Sequence, residues 1–237
     1  MIEIIKVDNK DSGNLKAYDI LKEVIDPQTL LALSGGTSPD YRRMIVEPPT
    51  PPRSAEQSYE GRGILPGAVC LIDERWGEPL HKDSNELLLE DAGVFDYCQR
   101  WGIEFYKILS GRGFAETAKD YNEVILGLFE KFEKKVGVMG IGSDLHTAGI
   151  FPQSPAIESA DLVRTQTVED KLPLRITLTF KALGEFQNFI ILMFGEEKKK
   201  ALRIMLDDSE NDMQKYPAIF YRKSPIVSYL VTDCDIK

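Results

Sequence analysis

The chain has 237 residues, carries 29 Lys and Arg against 38 Asp and Glu for a net charge of −9, and is 43% hydrophobic and 28% charged. That is an ordinary globular composition, with chain enough to bury a full core without disulfides or metal. The acidic balance, with no long basic stripe against it, speaks against a nucleic-acid partner. No apolar run reaches the roughly 18 residues that a membrane helix needs. Cys70, Cys98 and Cys234 are scattered without CxxC spacing, so neither a disulfide framework nor a metal site is expected. Met1 to Lys6 lacks the basic and long apolar regions of a secretory signal, and the expected location is the cytoplasm.

In chain order, Ile2 to Val7 reads as a strand and Leu15 to Ile25 as a helix. Thr29 to Leu33 is an apolar run that ends on Ser34-Gly35-Gly36, after which Ser38-Pro39 reads as a helix start with Ser as the cap. Glu47 to Pro66 holds five prolines, and the spacing predicts a surface excursion rather than a sheet element. Ala68 to Ile72 is a buried strand broken by Asp73-Glu74-Arg75. Ile103 to Leu109 is a further strand, followed by a helix from about Phe114 to Lys134. Val136 to Gly140 is a strand stopped by Gly142-Ser143-Asp144. Arg175 to Leu183 begins as a strand or a helix, and the pattern does not decide. Phe189 to Phe194 is a near-continuous apolar strand, Glu196 to Leu206 an amphipathic helix, and Ile226 to Val231 a last strand. Apolar strands without in–out alternation, spaced by helices, predict an α/β fold: a single Rossmann-like domain over 1–237 with a mainly parallel sheet and helices on both faces. Ligands in such sheets sit beyond the carboxyl ends of the strands.

Polar clusters recur at those ends. Ser34, Gly35, Gly36 and Thr37 form a turn whose backbone N–H groups and following helix start suit an anion, although it matches neither a dinucleotide fingerprint nor a P-loop. A tight turn with a capping Ser is the plainer reading. Asp73-Glu74-Arg75, followed by Asp83-Ser84-Asn85, puts charge where substrates bind. Arg75 suits an anion or a developing oxyanion, Asp73 a sugar hydroxyl, and Asn85 is a further candidate contact; a solvated salt bridge is the alternative. In Gly140-Ile141-Gly142-Ser143-Asp144-Leu145-His146-Thr147, a His two residues after an Asp makes His146 a candidate general base with Asp144 to orient it, against a core or capping His. His81 reads as a surface residue. Arg175 is a lone charge leading into an apolar-alternating segment, and of Lys198 to Lys200 at most one points into a site.

In this order the clusters resemble the 6-phosphogluconolactonases, within the wider group that includes glucosamine-6-phosphate deaminases. The resemblance runs from about Leu31 to Val231 and is carried by Leu33 to Pro39, Asp73-Glu-Arg75 with Ser84-Asn85, Gly140 to Ala148 through Phe151-Pro152, Arg175 to Thr179, Gly195 to Lys198, and Tyr216-Pro217-Ala218. It implies a carboxylic ester hydrolase acting on a phosphorylated sugar lactone, 6-phospho-D-glucono-1,5-lactone, without a cofactor, in the oxidative pentose phosphate pathway. It also implies that the phosphate lies at the Gly-Gly turn with Arg175 and Lys198, that His146 activates water with Asp144 behind it, and that Arg75 holds the substrate or the tetrahedral intermediate. One departure is Leu145, where the family has Gly. If that residue needs positive φ, its Cβ is penalised. The deaminases of the group carry a carboxylate five positions after the His, where this chain has Phe151, which favours the lactonase reading. A non-catalytic sugar-phosphate-binding protein is the third reading. The oligomeric state is not legible.

Overall fold

The computed structural model describes residues 1–47 and 63–235. Most of the proline-rich excursion expected at 47–66 lies outside the described residues.

The chain runs β1 (Ile2–Lys6), α1 (Lys10–Val24), β2 (Thr29–Leu33), a π turn (Arg42–Val46), β3 (Ala68–Leu71), β4 (Asp73–Arg75), α2 (Asn85–Asp91), α3 (Val94–Trp101) and β5 (Glu104–Tyr106). It continues through α4 (Phe114–Lys131), β6 (Lys134–Gly140), β7 (Val163–Thr167), β8 (Leu174–Leu178), α5 (Phe180–Leu183), β9 (Asn188–Met193), α6 (Lys199–Leu206), α7 (Phe220–Lys223) and β10 (Val227–Thr232). Seven strands form one sheet in the order β1-β10-β9-β6-β2-β3-β5, and every pairing in it is parallel. Every residue of β2 and β3 is buried, which requires cover on both faces of the sheet and explains the unbroken apolar runs. The expected α/β architecture is the observed one.

The sheet order sets the position of the site. From β2 the chain builds outward through β3 to β5, and from β6 it builds the other way through β9 to β10. β2 and β6 are neighbours, with Leu33 opposite Val138, so their carboxyl ends flank the switch point where a crevice opens in an open α/β sheet.

Four local expectations are corrected. α1 begins at Lys10 rather than Leu15, because Asn9 and Ser12 make a reciprocal capping box that starts the helix before Gly13. Ser38 does not cap the following turn. Its carbonyl accepts from Asn14 Nδ2 (3.2 Å), while Asp40 Oδ1 accepts from the Arg43 N–H (3.2 Å). Asp73-Glu74-Arg75 does not simply end β3. It crosses into a second, antiparallel sheet of order β4-β8-β7, so the undecided Arg175 segment is strand first, then the Thr179-capped α5. Glu196–Lys198 is a 3₁₀ turn before α6 rather than the first turn of one long helix.

Candidate active site

The ends of β2 and β6 are tied directly. The Ser34 N–H donates to the Val138 carbonyl (3.1 Å), and the Gly140 N–H donates to Ser34 Oγ (3.2 Å). Beyond this tie lies a cavity of about 220 Å³, lined by Ser34 to Ser38, Gly140 to Gly142, His146, Ala148, Asp73, Arg75 and Lys198. Eight of the eleven residues singled out in the sequence line it; Asp144, Asn85 and Arg175 do not.

The turn after β2 is shaped by its neighbours. A Cβ on Gly35 would sit 1.8 Å from Asn85 Oδ1, so only glycine allows these two segments to touch. Buried Asn14 of α1 holds the far side, with Nδ2 on the Ser38 carbonyl and Oδ1 accepting from the Asp40 N–H (2.7 Å). Lys10 Nζ donates to the Thr37 carbonyl (2.5 Å), bringing an ammonium to a turn of the kind that binds anions. Neither Asn14 nor Lys10 was singled out from the sequence, because nothing in the α1 segment marks a contact with a turn more than twenty residues on.

β4 carries the charged wall. Asn85 is fully buried and serves this wall from behind: its Nδ2 donates to the Asp73 carbonyl (2.7 Å), and its Oδ1 accepts from Arg75 Nη1 (2.8 Å). Glu74 lies beneath, its carboxylate accepting from the N–H groups of Arg75, Asn85 and Glu86. Burial pushes the Glu74 carboxyl up to about 8 against those three bonds. Asp73 is 8% exposed, and its Oδ1 has no hydrogen-bond partner. Burial raises its pKa most, opposed by the charges of Arg75, His146 and Arg175. A desolvated carboxylate of this kind is set to accept from a donor placed in the cavity.

The Gly140–Thr147 loop supplies a carboxylate–imidazole pair. Asp144 Oδ1 lies 2.5 Å from His146 Nδ1 and also accepts the His146 N–H (3.2 Å). Burial raises the Asp144 pKa, but the bond to and charge of His146 outweigh it, and the net shift is downward. A carboxylate on Nδ1 keeps the proton there and leaves the lone pair on Nε2. The ring stacks on Phe151 with centroids 4.3 Å apart and planes at 16°. Gly142 gives the ring its room, since a Cβ there would meet Nδ1 at 2.2 Å. Leu145 does take positive φ, +67°, and its side chain points into the core.

The two remaining cations differ. Lys198 Nζ reaches the cavity and donates to the Ile141 carbonyl (2.9 Å). Arg175 is buried, sits opposite Arg75 in the β4–β8 register, and bonds Asp170 Oδ2 through Nη2 (2.6 Å), while its buried Nη1 has no partner. Burial lowers its pKa most, then the nearby charge of Arg75. His81, expected at the surface, is half-buried instead: its Nε2 lies 2.9 Å from the Arg75 carbonyl, and its Nδ1 accepts from the Asp83 N–H. Those partners place its proton on Nε2.

A glycine turn, a carboxylate–imidazole pair and two cations gather around one crevice at a parallel-sheet switch point of this α/β protein, a charged cavity of small-molecule size. The chain belongs to the family of glucosamine-6-phosphate isomerases and 6-phosphogluconolactonases, whose sequence profile matches residues 19–227. A 6-phosphogluconolactonase of Synechocystis sp. is 34% identical over 201 residues, covering 81% of this chain and 77% of its own. Among solved structures, a 6-phosphogluconolactonase from Plasmodium vivax aligns with a TM-score of 0.75 at 20% identity, covering 98% of this chain and 89% of its own. A monomeric glucosamine-6-phosphate deaminase aligns equally well, at 0.75 and 15% identity, with 97% of each chain covered. The backbone therefore shows the shared fold and does not separate the two activities. Among the described residues, no helix is long and apolar enough to cross a membrane.

Proposed function

We propose that the protein is a carboxylic ester hydrolase that opens 6-phospho-D-glucono-1,5-lactone to 6-phosphogluconate in the cytoplasm, as a step of the oxidative pentose phosphate pathway. The observation that carries this reading is the 2.5 Å His146–Asp144 pair, whose imidazole lines the same cavity as the Gly35-Gly36-Thr37 turn, Arg75 and Lys198. A δ-lactone is an activated ester, so a general base and an oxyanion partner suffice and no covalent nucleophile is required. His146 Nε2 takes a proton from water as the water oxygen bonds to the lactone carbonyl carbon. Asp144 stabilises the imidazolium that forms. Arg75 neutralises the oxyanion, and Asp73 receives a sugar hydroxyl. Collapse of the tetrahedral intermediate breaks the ring C–O bond; the departing oxygen takes the proton from the imidazolium and becomes a hydroxyl, and the new carboxylic acid ionises. The phosphate is assigned to the Gly35-Gly36-Thr37 N–H groups and Lys198, with Arg175 as a further partner.

The deaminase alternative shares most of this cavity, but the ring stacked on His146 is an apolar Phe151, not the carboxylate that deaminases of the group place there. The test is a coupled lactonase assay corrected for spontaneous hydrolysis, run on the wild type and on His146→Ala. The variant is expected to lose about 10²–10⁴-fold in kcat while still binding 6-phosphogluconate in a thermal-shift titration. Near-normal turnover by the variant moves the base elsewhere, with Asp73 next in line. A wild-type protein that binds 6-phosphogluconate without turning over the lactone is a binding protein.

A further inference from the structure

His146 can present Nε2 to water only while Nδ1 stays on Asp144, and the single hydrogen bond between them does not fix the ring. Rotation about the Cβ–Cγ bond of histidine is soft, and both side chains are partly open to solvent, 33% for His146 and 48% for Asp144. What lies against the ring is Phe151, stacked nearly parallel at 4.3 Å. The backbone delivers it there: Thr147 and Ile150 exchange two hydrogen bonds (3.2 and 2.8 Å), closing a tight turn that returns residue 151 over residue 146. The Phe151 ring is backed by strand-anchored Arg175, whose guanidinium carbon lies 5.9 Å from the ring centroid. The stack also suits the charge that develops during the reaction, because the π face of a phenyl ring attracts a cation such as imidazolium.

We infer that Phe151 is a positioning residue for the reaction, its ring holding the His146 imidazole in the plane and tautomer that keep Nδ1–H on Asp144 and Nε2 toward the attacking water. The inference rests on His146 being the general base. It gives Phe151 a role beyond excluding a carboxylate, and it makes the flatness of the side chain, rather than its bulk, the property that matters.

The chain has two histidines, and their surroundings call for opposite tautomers: Nε2–H on His81, bonded to the Arg75 carbonyl, and Nδ1–H on His146, bonded to Asp144. Ring-¹⁵N-histidine labelling therefore reads the two separately. Phe151→Leu removes the flat face and keeps apolar bulk; Phe151→Tyr keeps the face; Phe151→Met replaces the Leu variant if that one does not fold. The Leu variant is expected to lose about 10–100-fold in kcat, the scale of a misplaced catalytic group, with KM changed by no more than about twofold. Its His146 signals should move from one tautomer toward a mixture while His81 stays fixed, and the Tyr variant should restore both kcat and the single tautomer. A Leu variant with wild-type kcat, one that loses kcat with the His146 tautomer unchanged, or a Tyr variant as impaired as Leu would each overturn the inference. His146→Ala, measured alongside, separates the layers. If it retains turnover, the general-base reading has failed; if it is inactive while Phe151→Leu behaves as wild type, only the role of Phe151 has failed.

Discussion

Arg175 and Asp170 form a 2.6 Å ion pair between a guanidinium 5% exposed and a carboxylate 48% exposed. The partners are unequal. Arg175 is fixed in β8, whereas Asp170 belongs to the turn between β7 and β8. Arg175 also keeps a buried Nη1 without a partner, a costly state for a donor. An anion that reached Nη1 would complete the arginine's bonding and share the guanidinium with the loop carboxylate on Nη2. If Arg175 serves the phosphate, Asp170 is its competitor. A half-exposed pair of this kind is worth up to about 1 kcal/mol, so Asp170→Asn should tighten 6-phosphogluconate binding by up to about fivefold in calorimetry. Arg175→Ala should weaken it by at least about tenfold, in line with the loss of one partner of a buried charge pair. Weaker binding by Asp170→Asn would mean that the carboxylate positions Arg175 and does not compete for it.

The contact between Gly35 and Asn85 leads to a second expectation. Asn85 cannot retreat from a Cβ at position 35, because it is fully buried and bonded to both Asp73 and Arg75. Gly35→Ala should therefore displace the whole charged wall: a stability loss of about 1–3 kcal/mol, typical of overpacking, together with a kcat/KM lower by about 10²-fold through misplacement of Arg75. Urea titration and the lactonase assay read the two effects separately. A stable and active Ala variant would show that the wall tolerates movement.

Glu74 makes stability depend on pH in a direction opposite to that of an ordinary surface carboxylate. Its folded pKa is raised from 4.5 to about 8, so the folded protein holds this proton where the unfolded chain has lost it. Ionisation then opposes folding, and unfolding free energy should fall as pH rises between about 5 and 8, with a slope of at most about 1.4 kcal/mol per pH unit from one group. Asp73, also raised chiefly by burial, adds to the same slope. Asp144 is shifted down, and its contribution disappears only as pH falls below the ordinary carboxylate range. Denaturant titrations across that window should show the decline. Glu74→Gln, though less stable overall because its amide must face the Glu86 N–H, should show a shallower one.

How much of this was legible follows from what each element buries. Strands covered on both faces leave unbroken apolar runs, so Thr29–Leu33 has the same bounds in sequence and structure, and the polar residues that end each run mark the crevice. The small antiparallel sheet gave no such signal: β4 is Asp-Glu-Arg, and β7, Val-Arg-Thr-Gln-Thr, buries only Val163 and Gln166, which follows neither an unbroken apolar run nor a period of two. Arg175 stood out as a lone charge before an apolar stretch, but its pairing with Asp170 depends on a turn that has no pattern of its own. Asn85 was recognised as part of the site, yet only the fold shows it holding Arg75 and Asp73 instead of lining the cavity. Asn14 and Lys10 were silent because each looks like an ordinary polar residue at the start of a helix.

Leu145 tests whether the catalytic loop is strained by its sequence. The expected conflict is present, with φ at +67° on a residue that has a branched side chain. That conformation costs about 1–2 kcal/mol relative to glycine. The side chain offsets it, since Leu145 is 1% exposed within the hydrophobic core, and burial of a leucine is worth about 1.5–3 kcal/mol. The loop is further held by backbone bonds that any residue can make, from the Leu145 N–H to the Gly142 carbonyl (3.1 Å) and from the Ala218 N–H to the Leu145 carbonyl (3.0 Å). At an ordinary buried leucine, Gly is a worse replacement than Ala, because glycine adds about 0.4–1 kcal/mol of unfolded-state entropy. Here the order should reverse or vanish. Leu145→Gly loses the side chain but regains the strain and should fall by about 1–2 kcal/mol, whereas Leu145→Ala loses most of the burial and keeps the strain, and should fall by about 2–4 kcal/mol. Because His146 and Asp144 are held by bonds that neither change removes, kcat of the Gly variant should stay within about threefold of wild type, a shift of under 1 kcal/mol. A Gly variant clearly less stable than the Ala variant would mean that the left-handed backbone at 145 costs this chain nothing, and that the departure from glycine is neutral packing.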